Sequence, residues 1–371
     1  MLEILESLTT GAMLLLVFLI WTHPKGANRL ANRWLSAFLA SIFLMMLDDL
    51  FNAADLYRRF SNLIGLDALA TFFVPPAFYL SILHFVTPRR RWRPADLRHF
   101  VLFFFFLLLY VSFLTLDAAT KIASYEQEQT DGITHPVVAV LLLLFFLQVF
   151  FYWVLSYRRL LRHQRAIRLI VSSEERVDLR WLQYFLLGFL IMLLMWTVTV
   201  FYESELILKV AQVFYFLGVF FLAYHAIRQG EVFAFSSDEQ EVIREIIEAS
   251  EKPEAARKKL LSDTELAEFK RRLDALMLSE KIYQDNELSL PRLADVMDTS
   301  THILSYLLNE GYGENFFQLV NRHRVEMAKA MLADPDLADR NVLSIAYEAG
   351  FNSKTAFNTS FKTITGLSPT A

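Results

Sequence analysis

The sequence predicts an all-α protein made of a seven-helix transmembrane bundle, a helical linker and a tail of two helix-turn-helix units. Seven apolar segments fill the chain between residues 7 and 227, and most approach the length of a bilayer-crossing helix. A chain that is 55% hydrophobic, with 34 phenylalanines in 371 residues, has a composition typical of membrane proteins. A soluble tail follows, and it ends in two consecutive pairs of short helical patterns joined by tight turns.

The composition also bounds the chemistry. The chain has no cysteine, which excludes disulfides, cysteine-ligated zinc, iron–sulfur clusters and thiol nucleophiles. Asp48 and Asp49 are adjacent carboxylates, but consecutive residues on a helix point about 100° apart. No H-E-x-x-H or G-x-S-x-G motif accompanies them. We therefore expect no enzyme activity, no cofactor and no metal site.

The apolar segments define a predicted membrane sensor domain over residues 1–227. Glu3 and Glu6 precede the first segment where a signal peptide would be basic, so we interpret this segment as a retained span. The predicted spans cover residues 7–22, 34–52, 66–86, 100–116, 137–157, 181–202 and 207–227.

The loop charges predict the orientation. Lysine and arginine cluster after the first, third and fifth segments, for example at Arg29, Arg91 and Arg159, whereas the alternate loops are neutral to acidic. Basic loops stay on the cytoplasmic side of a membrane. The N-terminus is therefore predicted outside and the tail in the cytoplasm, with a multi-pass topology.

Polar residues at membrane depth are costly and mark candidate functional sites. The hypothesis is an outward-facing pocket for an unknown small-molecule or envelope stimulus, formed by Asp48, Asp49, Trp196 and Glu203. The alternative is interfacial anchoring or hydrogen bonding between helices. Pro75 and Pro76 remove backbone donors inside the third segment and are expected to kink it.

Residues 228–263 are predicted to be a helical linker with an amphipathic stripe. Residues 264–371 form the predicted double helix-turn-helix domain. In its first unit, Ser300 caps a helix whose free face carries Thr301, His302, Ser305, Tyr306 and Asn309. In its second unit, Ser353 caps a helix whose free face carries Lys354, Thr355, Asn358, Thr359 and Lys362. One helix over residues 314–332, about 28 Å long, separates the units by close to one turn of DNA.

The tail resembles the AraC-type transcriptional regulators. The resemblance rests on S-L-P-x-L-A from Ser289, R-V-E-M-A-K from Arg324, A-x-E-A-G-F-N-S from Ala346 and the terminal G-L-S-P from Gly366. It implies promoter DNA as the partner of both free faces, and Arg324 joins their residues as a candidate DNA-binding residue. The membrane half, with P-P-A-F-Y-L and D-L-R-W-L-Q, looks like the multi-spanning sensor region fused to such domains in some bacteria. The implied location is the bacterial cytoplasmic membrane.

Several features depart from the family's pattern. Tyr306 and Thr359 stand at positions that often carry arginine or glutamine, so bidentate guanine recognition is not evident. From Arg228 onward the chain has 17 basic against 24 acidic residues, which weakens nonspecific DNA binding. The sequence also ends at Ala371, before the short terminal helix that the family completes, so we expect either that this sequence is shortened or that the last helix is absent.

Three hypotheses follow. The first is a membrane-embedded one-component regulator that senses a stimulus and binds DNA, with homodimerisation or tethering supplying affinity. The second is a membrane receptor whose tail is a protein-interaction module without DNA binding. The third is a transporter, although the spans lack the paired repeats common in such folds.

Overall fold

The computed structural model describes residues 2–22, 28–87, 90–131, 136–170, 179–201, 205–229, 259–337 and 339–370. These residues form helices and turns and no β-strand, so the predicted all-α class is confirmed. The chain divides into two compact units. The first unit, called the membrane unit after its predicted role, comprises Met1–Leu161 and Leu179–Val232, and the C-terminal unit comprises Arg162–Asp178 and Phe233–Ala371.

The membrane unit contains eight described helices, one more than the sequence predicts. They are α1 Leu2–Trp21, α2 Arg29–Ala53, α3 Leu66–Val86, α4 Val101–Leu114, α5 Ala118–Asp131, α6 Pro136–Ile170, α7 Arg180–Phe201 and α8 Glu205–Arg228. Short 3-10 turns at Leu56–Arg58 and Ser61–Leu63 connect α2 to α3, and another at Pro94–Phe100 leads into α4.

The number of spans differs from the prediction. Five helical stretches in the described part of the chain are long and apolar enough to cross a membrane: Arg29–Asn52, Ser61–Val86, Pro94–Leu114, Val137–Arg165 and Lys209–Arg228. The first and sixth predicted spans lie in α1 and α7, whose apolar stretches in the described part, Leu8–Trp21 and Arg180–Met195, are shorter. A count of seven spans is therefore not confirmed.

Helix α5 stands where the sequence predicts only an acidic loop. Lys121 on α5 is 3% exposed, and its ammonium donates to Asn62 Oδ1 at 2.7 Å and to the Leu114 carbonyl at 3.0 Å. The rings of Tyr57 and Tyr125 pack with centroids 4.9 Å apart. These contacts dock α5 on the connection between α2 and α3.

Helix α3 is the core of the membrane unit, and it is buried over most of its length. It continues through Pro75 and Pro76, which lack the backbone N–H groups that a helix needs. Pro76 cannot donate to the carbonyl of Phe72, four residues earlier. Gln148 on α6 supplies the donor instead, with its Nε2 3.2 Å from the Phe72 oxygen. A side chain from a neighbouring helix thus satisfies a carbonyl group released by proline.

Replacing Gln148 with leucine is expected to lower the free energy of unfolding by about 0.5–1.5 kcal/mol, because the Phe72 carbonyl loses its donor in an apolar core. Thermal unfolding of the full chain in detergent measures this change. The neighbouring substitution Leu147→Met, on a side chain that is exposed on α6, is the control and should leave the unfolding temperature unchanged. Equal unfolding temperatures for Gln148→Leu and the parent would contradict the role of this hydrogen bond.

The C-terminal unit contains six described helices. They are α9 Asp263–Leu278, α10 Leu290–Val296, α11 Thr301–Tyr306, α12 Phe316–Leu332, α13 Val342–Glu348 and α14 Lys354–Thr365. Each begins at a serine or asparagine whose side-chain oxygen accepts a backbone N–H of the first turn: Ser262, Ser289, Ser300, Asn315, Asn341 and Ser353. These caps explain where the helices start.

Two hydrophobic cores support the C-terminal unit, and α12 belongs to both. Its first half contributes Phe316 and Leu319 to a core that also contains Leu273 and Met277 of α9. Its second half contributes Val325, which packs in the other core with α13 and α14. The helix has 17 residues, or about 26 Å at 1.5 Å per residue.

Candidate nucleic-acid interface

The second helix-turn-helix unit exposes one continuous polar face. Phe357 and Phe361 bury the inner side of α14, as the 3.6-residue period predicts. All five residues that the sequence places on the outer side are exposed: Lys354, Thr355, Asn358, Thr359 and Lys362. The structure therefore brings this predicted set together on one surface.

The charges on α14 are free to act on a ligand. Lys354 and Lys362 form no ion pair or hydrogen bond with the described residues, and α14 carries no acidic side chain. Most other cations described between residues 259 and 370 are held by carboxylates or carbonyls: Lys259, Lys270, Arg272, Arg292, Arg322, Arg324, Lys329 and Arg340. An acidic unit thus presents a locally basic face.

The first unit presents less of its predicted face. Asp298 adopts a φ of +51° in the turn, and the Ser300 hydroxyl accepts the Ile303 N–H at 3.2 Å. Four of the predicted residues are only half-exposed: Thr301, His302, Ser305 and Tyr306. Asn309 is exposed, but its side-chain amide donates to the Ser305 carbonyl at 2.9 Å. The sequence did not reveal this partial burial.

The end of α11 is held by α9. After Tyr306 the chain widens into a π-helical turn, Leu307–Tyr312, of the kind that often occurs at functional sites. Lys270 on α9 donates to the Gly311 carbonyl at 2.8 Å, and the Tyr312 hydroxyl donates to Asp274 at 2.7 Å. Burial and the nearby Asp274 carboxylate raise the pKa of Tyr312. Tyr312 was not among the predicted site residues, and no motif in the sequence marks it.

Arg324 is not part of the exposed interface, which corrects the prediction. Its side chain is fully buried, and it donates to the carbonyls of Tyr283 at 2.7 Å and Asp285 at 2.8 Å. Its guanidinium also lies 5.8 Å from the centroid of the Phe351 ring. Burial lowers the pKa of Arg324 to about 10, so the group remains charged at neutral pH. A buried guanidinium cannot reach a DNA phosphate, and Arg324 instead joins the two cores.

Gly350, like Arg324, lies at a contact between the two helix-turn-helix units. Its φ of +95° makes the turn after α13, and an added Cβ would lie 2.6 Å from the Tyr283 carbonyl oxygen. Nearby, Gln284 Nε2 donates to the Glu348 carbonyl at 3.2 Å. The residues 283–285 thus contact both the long helix and the second turn, which fixes the two units relative to each other.

Most of the predicted ligand pocket in the membrane unit lies outside the described residues, so the pocket stays a prediction. Asp48 is half-buried, and its carboxylate accepts a hydrogen bond from the Tyr57 hydroxyl. The side chains of Asp49, Trp196 and Glu203 lie outside what the structure describes. The amphipathic part of the predicted linker, within residues 230–258, lies outside the described residues as well.

Comparison with known proteins bears on the tail alone. Residues 293–371 match a family model described as a helix-turn-helix domain, and α9 lies before the matched region. A search of curated proteins and a search of solved structures each found no match. Residues 293–371 are therefore an AraC-type helix-turn-helix domain, and in this chain they follow an N-terminal region of apolar helices.

Proposed function

We propose that the chain is a membrane-embedded one-component transcription regulator that binds promoter DNA through its cytoplasmic tail. One observation carries the proposal: an AraC-type domain with a free basic recognition face shares a polypeptide with five span-length apolar helices. The distribution of basic loops supports a bacterial cytoplasmic membrane, with the tail inside. The boundaries that we propose are residues 1–227 for the sensor, 228–263 for the linker and 264–371 for the DNA-binding domain.

We infer that α14 makes the main contacts with DNA. Its exposed amide, Asn358, is a residue type that recognises adenine in the major groove, and the flanking Lys354 and Lys362 are placed to neutralise phosphates. The hydroxyls of Thr355 and Thr359 are further phosphate or base contacts. Helix α11 has only six residues and a half-buried face, so it contributes the smaller share.

In this proposal the stimulus acts on the membrane unit. We propose that an outer or intramembrane ligand shifts the helix bundle and that the linker transmits the shift to α9. The pocket of Asp48, Asp49, Trp196 and Glu203 remains the proposed place for a small-molecule or envelope signal. Because the tail is acidic overall, a homodimer or attachment to the membrane is expected to raise its affinity for DNA.

Replacing Lys354 and Lys362 with glutamine tests the interface. Each lysine that neutralises a phosphate adds about 0.9 to the slope of log affinity against log salt concentration, so the slope should fall by about two. We expect weaker binding to specific and nonspecific DNA alike. The DNA fragments are first identified by crosslinking to the protein in its native membrane. Binding isotherms of the full chain in lipid nanodiscs are then measured on these fragments at a series of salt concentrations.

The matched control is Arg271→Gln with Lys281→Gln. These two cations also lack an ion pair or hydrogen bond among the described residues, but they belong to α9 and to the connection after it, not to α14. Both variants remove two positive charges, so a difference between them reports on position and not on net charge. An equal loss of affinity in both variants would exclude α14 as the principal DNA-binding surface.

A protein-interaction module without DNA binding is the alternative function. The acidic balance of the tail and the half-buried face of α11 favour it. Substituting Asn309 and Asn358 with alanine separates the two functions. If the tail binds DNA, the double variant loses the promoter crosslinks that the parent forms. If the tail is an interaction module, the parent itself shows only background crosslinking to DNA, and the double variant loses a bound protein.

A further inference from the structure

A cluster of basic side chains lies where the Pro94–Phe100 turn meets α6. The His99 ring packs between Tyr79 and Tyr152, with centroid distances of 5.1 and 5.7 Å. Arg98 directly precedes His99 on the turn, and Arg159 follows Tyr152 by about two turns of α6 and so lies on the same face of that helix. The contact between His99 and Tyr152 therefore brings cations from two separate elements to the same basic end of the membrane unit.

No described carboxylate neutralises these two arginines. The nearest acid, Asp96, is 3% exposed and is held by Arg90, with Nη1 to Oδ2 at 3.0 Å. Arg98 and Arg159 form no ion pair or hydrogen bond among the residues that the structure describes. The positive charge at this place is therefore available to an anion.

Tyr152 fixes the orientation of the histidine. Its hydroxyl lies 3.1 Å from both His99 Nδ1 and the His99 carbonyl oxygen. One hydroxyl proton can satisfy only the carbonyl, so Nδ1 must carry the proton that it donates to the hydroxyl oxygen. Nε2 of the neutral ring is then an acceptor, so His99 holds the turn against α6 while the arginines supply the positive charge.

An exposed apolar stripe starts beside this cluster and runs along α4. Leu97, Val101, Phe104 and Leu108 follow each other at helical spacing on one side of the segment. Their exposed fractions are 44, 63, 46 and 67%. A cationic cluster next to a long apolar surface is the pattern that an anionic amphiphile complements, whereas a free inorganic anion would use only the polar part.

We propose that Arg98 and Arg159 bind the phosphate of an anionic phospholipid whose acyl chains lie along the Leu97–Leu108 stripe. The proposal rests on the membrane embedding proposed above and is independent of DNA binding. Zwitterionic lipids fit less well, because Asp96, the carboxylate beside His99 among the described residues, is buried in the Arg90 pair and cannot meet an ammonium. The ligand class is thus a phosphatidylglycerol-type headgroup on the basic side of the bilayer.

Native mass spectrometry of the full chain in detergent tests the site, with dioleoyl phosphatidylglycerol as the probe and dioleoyl phosphatidylethanolamine as the comparison. We expect the parent to prefer the anionic lipid and the variant Arg98→Gln with Arg159→Gln to bind it about tenfold more weakly, through loss of charge-assisted hydrogen bonds. The control, Arg91→Gln with Arg158→Gln, removes the same charge from the same two regions and should change the affinity less than twofold.

Three results would overturn the proposal: equal binding of the two lipids by the parent, an equal loss in both double variants, or full displacement of the lipid by millimolar inorganic phosphate. If the glutamine variant fails to fold, Arg98→Lys with Arg159→Lys keeps the charge and must keep the preference for anionic lipid. The titration contains no DNA, so its failure leaves the regulator hypothesis intact. Failure of membrane embedding would show separately, as a chain that stays dispersed without detergent.

Discussion

Gly350→Ala is expected to destabilise the second helix-turn-helix unit by about 3 kcal/mol or more, because an overpacked contact adds to an unfavourable backbone conformation. The new Cβ would meet the Tyr283 carbonyl oxygen at 2.6 Å and the Gln284 Cα at 2.8 Å. These are backbone atoms that cannot rotate away. Hydrogen exchange of the full chain in detergent measures the effect as faster exchange in Val342–Glu348 and Lys354–Thr365.

Gly313→Ala is the matched control for this substitution. Gly313 also has a positive φ, +68°, but no atom lies within 4 Å of the position where its Cβ would stand. We expect a loss of only about 1 kcal/mol from the backbone conformation. The difference between the two variants isolates the contact with residues 283–285. Equal effects on exchange would mean that the second turn does not pack tightly against those residues.

Arg324→Met is expected to lower stability by roughly 2–5 kcal/mol, because two buried carbonyl groups lose their donor. Methionine preserves much of the side-chain volume, so the loss reports mainly on the hydrogen bonds to Tyr283 and Asp285. Lysine should not rescue the variant, since a single ammonium does not reproduce the fork of a guanidinium. Chemical unfolding of the full chain, followed by hydrogen exchange in both cores, measures the change.

Arg322→Met provides the comparison on the same helix. Arg322 forms a partly exposed ion pair with Glu314 at 3.0 Å, and losing such a pair costs less than about 1 kcal/mol. DNA binding gives a second test of the role of Arg324. If Arg324 is a buried structural residue, its substitution leaves the slope of log affinity against log salt concentration unchanged. If Arg324 contacts a phosphate, its substitution reduces this slope by about 0.9. A reduced slope with unchanged stability would contradict the assignment of Arg324 to the core.

The helical fold follows from the sequence because hydropathy and caps act locally. Runs of apolar residues predicted helices in the right places, and the serine caps Ser300 and Ser353 predicted the starts of α11 and α14. Helix α5 was missed because tertiary contacts hold it, above all the buried ammonium of Lys121 against Asn62. A short polar helix of this kind has no apolar run from which the sequence could predict it.

The candidate site was predictable only in part. The exposure of the outer face of α14 was predictable because Phe357 and Phe361 reveal which side is buried, and the remaining positions must face outward. The contact of this face with DNA stays a prediction. The same argument fails for Arg324, because α12 lies between two cores and is covered on more than one side. The partial burial of α11 depends on the turn that follows it, and its hydrogen bonds to α9 join residues about 40 positions apart.

The hydrogen bonds between α9 and residues 311 and 312 have a mechanical consequence. Helix α9 follows the predicted linker in the sequence, and it holds the turn after α11 through Lys270 and Asp274. A push along the axis of α9, or its rotation, must therefore either carry that turn with it or break these bonds. Under the proposed function, a displacement that the linker transmits to α9 acts on α11 directly through these contacts, whereas α14 has no such bond to α9 among the described residues.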